Sequence, residues 1–352
     1  PGIAAGAALA LMETLADFGT VSYFAVQTFT TGIYRAWLSL GDPVAAGQLA
    51  TLMLAFVAAI LLLERANRGR SRFHNPGRRG RMAPYRLNGA KAWLAAGACA
   101  LPVLLGFALP AWILARMAYS EGEAHFFAPR MLGLIANSFT LAAVTAAAAI
   151  VLAAVLAYAA RSDRGILVAV AHRIAGLGYA IPGAVIAVGI LVPVARLDNL
   201  INAWMTQAFG KGPGLLLTGS MVALVYAYLV RFLAVALQTV EAGLSKVTPS
   251  MDDAARGLGL TPVKTLFKVH APIVRGSLLT AGLLVFVDVM KELPATIVMR
   301  PFNFDTLAVQ AYNYASDERL AEAATASLVI VAVGLLPLFF LCRAIAAGGR
   351  GR

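Results

Sequence analysis

Four carboxylates carry most of the chemistry this sequence offers. Glu13 and Asp17 stand four residues apart, and so do Asp288 and Glu292, so each pair shares one face of a helix. All four sit in strongly apolar surroundings, where an ionised group is expensive and is kept for a pathway, a relay or an ion pair. Carboxylate oxygens are hard ligands that suit highly charged cations, which makes a polar passage for a cation one reading. The other is structural: pairing with Lys291 or Arg231, or capping helix ends where the chain breaks at Pro294. The residues by themselves leave both open. A passage must release its cargo, so no tight metal cage is expected, and neither a catalytic residue nor a cofactor is assigned. Glu121, Glu123 and His125 alternate beside Phe126 and Phe127 and read as an interfacial loop. Tyr179 to Gly183 reads as a kinked, closely packing helix start rather than a substrate contact. No Gly-x-x-x-x-Gly-Lys-Ser/Thr loop occurs, and Gly257-Leu258-Gly259 lacks the rest of a dinucleotide motif. The chain is therefore not expected to be an enzyme, and any ATP would be hydrolysed by a partner.

The elements that must position these acids follow from composition. The chain has 352 residues, 60% hydrophobic and only 13% charged, with a mean hydropathy of +0.77. A soluble domain carries roughly a quarter charged residues, so a single soluble domain is excluded, as is disorder. Apolar runs of about 20 residues match the length of a helix crossing a hydrocarbon core. A β-barrel needs alternating segments of about 10 residues, and 141–160 does not alternate. The fold class is all-α, a polytopic helical membrane protein with about eight membrane helices. The runs are 3–24, 44–63, 93–114, 132–158, 177–195, 215–237, 277–286 continuing toward 297, and 323–341. The stretch 166–176 contains His172 and Arg173 and reads as a short helix lying at the interface. Cys99 and Cys342 both fall in apolar runs and form no disulfide framework or zinc cluster.

Sorting the 29 Lys and Arg by alternate loops puts 20 on one side and eight on the other, with Arg231 inside a span. The positive-inside rule assigns the richer side to the cytoplasm. The net charge of +12 thus records topology, not nucleic-acid binding, and residues 65–91 read as a basic cytoplasmic linker against membrane lipid.

The chain repeats itself without gaps at an offset of 275 residues. Leu9 falls on Leu284, Phe29 on Phe304, Thr31 on Thr306 and Asp42 on Asp317, and acids fall on acids, Glu13 on Asp288 and Asp17 on Glu292. Residues 1–64 read as the last two membrane helices of a first repeat, and 92–345 as a second, complete repeat of six. Two parallel copies in one chain is an architecture of transporters. The chain starts at Pro1 without an initiator Met, and the expectation is the C-terminal part of a longer protein.

Between the sixth and seventh runs lies a loop at 241–275. It holds Asp253-Ala254-Ala255, then Gly259, then Val269 and Pro272. Local chemistry predicts a helix with Ser250 as N-cap, a turn at the glycine, and a second helix from Thr261-Pro262. This loop resembles the signature of the membrane permease subunits of ABC importers: Glu-Ala-Ala, three residues, Gly, nine residues, then Ile or Val, any residue, Leu, Pro. Asp253 stands for Glu and Ala271 for Leu. The stretches Lys291 to Thr296, Arg300-Pro301, and Thr306 to Ala308 are similar to fused ferric-iron importer permeases, as are Glu13 to Val21 and Thr30 to Trp37.

The resemblance implies a type I ABC importer permease fold. It also implies an ATPase-docking loop formed by Asp253, Ala254, Ala255, Gly259, Val269 and Pro272, and a translocation path near Glu13, Asp17, Asp288 and Glu292. The implied partners are cytoplasmic ATP-binding subunits, two copies, and a periplasmic substrate-binding protein, with no nucleic acid. The location is the bacterial inner membrane, multi-pass, and the cargo is ferric iron. Thiamine, sulfate, polyamine and phosphonate permeases share the loop and remain alternatives. An ion-coupled carrier using the membrane acids is the competing class, but it has no need of a docking loop.

Overall fold

The computed structural model describes residues 2–68, 87–120, 129–162 and 165–350. Most of the basic linker, and Glu121, Glu123 and His125, lie outside the described residues.

The chain opens with α1 (Gly2–Ala16), stops, and resumes as α2 (Gly19–Tyr23). The freed N–H of Thr20 reaches the Asp17 carboxylate at 3.3 Å. The chain continues into α3 (Phe29–Tyr34), where Thr28 and Thr31 cap one another reciprocally, and through a π-helical turn at Arg35–Ser39. Asp42 then accepts the N–H groups of Val44 and Ala45 at 2.9 Å each, starting α4 (Pro43–Arg68). Helices α5 (Ala90–Val103) and α6 (Leu109–Ser120) are joined by a π turn just beyond Pro102, which removes a backbone donor inside the helix. Next come α7 (Pro129–Ser162), α8 (Ile166–Ala175) and α9 (Gly183–Phe209), the last closed by Gly210 at φ +74°. Ser220 caps α10 (Met221–Leu244). The loop beyond it holds α11 (Pro249–Gly257) and α12 (Pro262–Thr265), which runs through a π turn into α13 (Ala271–Met290). The chain closes with α14 (Pro294–Met299), α15 (Leu307–Ser316) and α16 (Leu320–Arg350).

Among the described residues six helices are long and apolar enough to cross a membrane, and the start of α16 is a shorter apolar stretch. The expected first run, 3–24, is α1 and α2 with a break between them, and the expected seventh breaks before α14. The two breaks, at Asp17–Phe18 and at Lys291–Leu293, fall at positions that the 275-residue offset superposes. Asp17 and Glu292 are thus the acids at which each helix ends.

The main core joins α7, α10 and α13 around Leu141, Leu224, Tyr228, Leu237 and Val285. On α7 the buried positions include Ala142, Ala146, Ala149, Ala153 and Ala157, small residues at helical spacing that let neighbouring backbones approach. In a bilayer such close packing replaces the hydrophobic drive that lipid tails cannot supply. A second cluster seats α3 and α4 against α9, with Phe18, Ile33, Tyr34, Ala46, Met53 and Ala184 buried.

Helix α8 sits beside the last turn of α10. His172 pairs with Glu241, while six residues later Gly178 packs so tightly on α10 that a Cβ there would lie 1.7 Å from the Val230 carbonyl oxygen. Residues 241 and 230 are about 16 Å apart along a helix. The chain therefore moves along α10 between His172 and Gly178, and α9 starts after the turn at Gly176 to Pro182. His172 and Arg173 are polar for a span, and Glu241 supplies a partner for the first.

Candidate translocation path and docking loop

Three chain breaks converge on one cavity of about 360 Å³. They are the gap between α1 and α2, the turn before α9, and the gap between α13 and α14. All four predicted acids, Glu13, Asp17, Asp288 and Glu292, line it, together with Tyr179, Arg231 and Lys291.

The four are not equivalent. Glu292 is buried and Oε1 accepts from Arg231 Nη1 at 2.8 Å. Its other oxygen accepts from the N–H groups of Ala295 and Thr296 at 3.1 and 3.2 Å and from the Thr296 hydroxyl at 3.0 Å. Glu292 thereby caps α14 and balances the one Arg inside α10. Gly183 explains how the pair fits: a Cβ there would stand 2.4 Å from Arg231 Nη1 and 2.5 Å from Glu292 Oε1. Asp288 Oδ1 sits 3.1 Å from Lys291 Nζ. The pairing and capping alternative is thus what Asp288 and Glu292 do locally. The first-repeat acids are more open. Glu13 is exposed and accepts the Tyr179 hydroxyl at 2.7 Å, and the Asp17 carboxylate holds only the Thr20 N–H among the hydrogen bonds described.

Four carboxylates therefore face two fixed cations, and the cavity is net negative. It is wide and open, with oxygen donors on several elements. Among the described residues no cluster of three His, Cys, Asp or Glu has metal-holding geometry. A net negative, oxygen-lined cavity can attract a hard cation. Tyr179 was read from sequence as packing only. Its role was hidden because Glu13 is 166 residues away. Arg231, a lone Arg in an apolar run, was the visible signal.

At the far end of α10 and α13 lies the predicted docking loop. Its first helix starts at Thr248 and not at Ser250, whose hydroxyl instead meets that of Thr248 at 2.8 Å. Pro249 at the first helical position fixes this start. Asp253 and Ala254 are exposed, with Asp253 paired to Arg256, while Ala255 turns inward and is buried. Gly259 has φ +75° and open space around it, as the turn requires. Val269 lies in the π turn before α13, and Pro272 is exposed in the first turn of α13.

The neighbour of the motif, Asp252, was not singled out from sequence. Its Oδ2 takes Arg161 Nε and Nη2 at 2.9 and 2.8 Å, and its Oδ1 takes His270 Nε2 at 2.6 Å. Burial alone would raise its carboxyl pKa, but the bonds from Arg161 and His270 outweigh it and hold the group below the usual range. His270 is fully buried, edge-on to Tyr158 at 5.2 Å. A histidine directly before Ala271-Pro272 was the available clue.

Known proteins similar to this chain bear on the geometry. The family described as binding-protein-dependent transport system inner membrane component matches residues 149–349. The Fe(3+)-transport system permease protein FbpB 2 of Haemophilus influenzae is 25% identical over 365 residues, covering 97% of this chain and 65% of that protein. The chain thus spans less than two thirds of that relative's length. The putative 2-aminoethylphosphonate transport system permease protein PhnV of Salmonella typhimurium is 29% identical over 39% of this chain and 51% of that protein. Among solved structures, a bacterial alginate ABC transporter in complex with a periplasmic protein superposes with TM-score 0.55 at 15% identity. The match covers 71% of this chain and 92% of that one; at such identity it speaks for the fold alone.

Proposed function

The chain belongs to the binding-protein-dependent transport system inner membrane component family, a multi-pass protein of the bacterial inner membrane, and from that premise we propose that it forms the passage of an ATP-driven importer for ferric iron. The observation that carries the substrate is the cavity at the three helix breaks, where carboxylates outnumber cations four to two. A net negative, oxygen-lined cavity draws a hard cation and repels an anion such as a phosphonate. Glu13, Asp17 and Asp288 supply the passing contacts, with the Tyr179 hydroxyl beside Glu13. The Arg231–Glu292 pair holds the broken helix ends in register.

Of two cytoplasmic ATP-binding subunits, one docks on α11. Its outer face offers Met251, Asp253, Ala254 and the 82% exposed Leu258, a mixed apolar and charged patch suited to a groove on a partner. ATP binding draws the partners together, α11 carries that movement into the bundle, and the helices rock between outward and inward access. A periplasmic binding protein delivers the iron to the opposite end. The division into 1–64, 65–91 and 92–345 as repeat, linker and repeat is part of this reading, supported by the matched breaks. An ion-coupled carrier would leave the docking loop without a purpose.

The test is a vesicle assay with the full-length permease, its ATPase and its binding protein. Labelled ferric iron is compared with 2-aminoethylphosphonate, sulfate, thiamine and spermidine. ATP-dependent accumulation of iron alone is expected. Accumulation of another solute without iron refutes the substrate and leaves the importer standing.

A further inference from the structure

Resting on that reading, we propose that Asp252, Arg161 and His270 form the joint through which the docking helix moves the membrane bundle. The three come from three elements: Asp252 from α11, Arg161 from the last turn of α7, and His270 from the turn that opens α13. Both oxygens of one carboxylate are used, one by the Arg161 guanidinium and one by the His270 ring, at 2.6 to 2.9 Å. Charge-assisted bonds of this length fix orientation as well as distance.

The joint is anchored on its far side. Arg161 Nη2 also donates to the Val247 carbonyl at 2.9 Å, tying in the strand of chain that leads from α10 to α11. His270 is fully buried against Tyr158 of α7. The surface-facing residues of α11, Asp253 and Ala254, point away from this side. One face of the helix thus meets the partner while the opposite face is bolted to the bundle.

The route onward is continuous. From His270, α13 runs 20 residues to Met290, about 30 Å of helix, and ends at the break where Asp288 and Glu292 line the cavity. A push or tilt of α11 therefore reaches the cavity along one rod, with α7 packed beside it. Without the carboxylate, α11 keeps its own helix, its partner face and the packing of Ala255, but loses its charged tie to α7 and α13. These residues are positioning residues and touch no cargo.

The experiment uses the full-length permease with its ATPase and binding protein in vesicles, and compares the native protein with Asp252→Asn and Asp252→Glu. ATPase association and basal hydrolysis should persist in Asp252→Asn, while binding-protein-stimulated hydrolysis and uptake fall by about tenfold, within the range of coupling between distant sites. Asp252→Glu, which keeps the charge, should recover part of both. A second readout does not depend on transport. Spin labels at Gly257→Cys and Gly276→Cys, two exposed positions with open space around them, in a Cys99→Ala and Cys342→Ala background, report the α11 to α13 distance. One narrow distance, the same with and without ATP, is expected with the joint intact, and a broad one in Asp252→Asn. Native-like stimulation and a narrow distance in Asp252→Asn would overturn the proposal. So would loss of ATPase association, or failure of that variant to reach the membrane, since either makes the cluster a folding element. If the native protein itself recruits no ATPase, the importer reading fails instead, and the distance measurement still decides the joint.

Discussion

Removing the charge of Glu292 should destabilise the bundle far more than removing that of Asp17, its counterpart in the repeat. In Glu292→Gln one carboxylate oxygen becomes an amide NH2. If the amide oxygen keeps the N–H groups of Ala295 and Thr296, the NH2 faces Arg231 Nη1, donor against donor, and the guanidinium stays buried without a counter-charge. If the amide flips, the Thr296 N–H loses its acceptor and faces the NH2, and the Ala295 N–H keeps only its 3.2 Å bond to the other position. Breaking one side of a buried pair costs about 3–5 kcal/mol, and one stranded buried donor about 1–3 kcal/mol. Both describe the same loss from two directions, so the expected penalty is about 3 kcal/mol. Replacing both partners, Arg231→Met with Glu292→Met, removes the stranded charge and should cost less than either single change, apart from about 1 kcal/mol for the lost α14 cap. The assay is denaturant-titrated unfolding of the purified protein in mixed micelles, followed by circular dichroism, for the two single variants and the double. The reasoning is refuted if Glu292→Gln lies within about 0.5 kcal/mol of native, or if the single effects add to within that margin.

Gly183→Ala should act on the same pair through space, because its Cβ would overlap both charged atoms. A loss of about 1–3 kcal/mol by overpacking is expected in the same micelle titration. Neutralising the open acids, in Glu13→Gln and Asp17→Asn, should leave that titration within about 0.5 kcal/mol of native while lowering iron uptake in vesicles; loss of membrane accumulation instead would assign them a structural role. Gly259→Asp meets no neighbour and places a residue type tolerant of positive φ at φ +75°, so its cost to the fold is about 1 kcal/mol, yet co-purification of the ATPase should be lost. The Asp252 carboxyl is held below its unfolded value of about 3.9, so its contribution is complete above that pH and fades as pH falls through the lower folded value. Hydrogen exchange on α11 should stay slow down to that range and quicken below it, with no such acid step in Asp252→Asn.

Much of this protein was written in local patterns. Run lengths gave the membrane helices, the 275-residue offset paired Asp17 with Glu292, and Pro294 marked a break that the structure contains. Gly259 was legible because a helix stop followed by a new helix start needs a residue that accepts positive φ. These features depend on neighbours a few residues away, and a sequence displays such neighbours directly. What the sequence left open was partnership. Whether Glu292 serves a passage or a pair depended on Arg231, 61 residues earlier, and on the absence of a Cβ at Gly183. Glu13 met Tyr179 across 166 residues, and Asp252 met Arg161 across 91. In α8 the chain shows His172 and Arg173 but not the Glu241 that receives His172. Such contacts are chosen when whole helices pack, by shape and by the cost of burying an unpaired charge, and no periodicity along the chain records that choice.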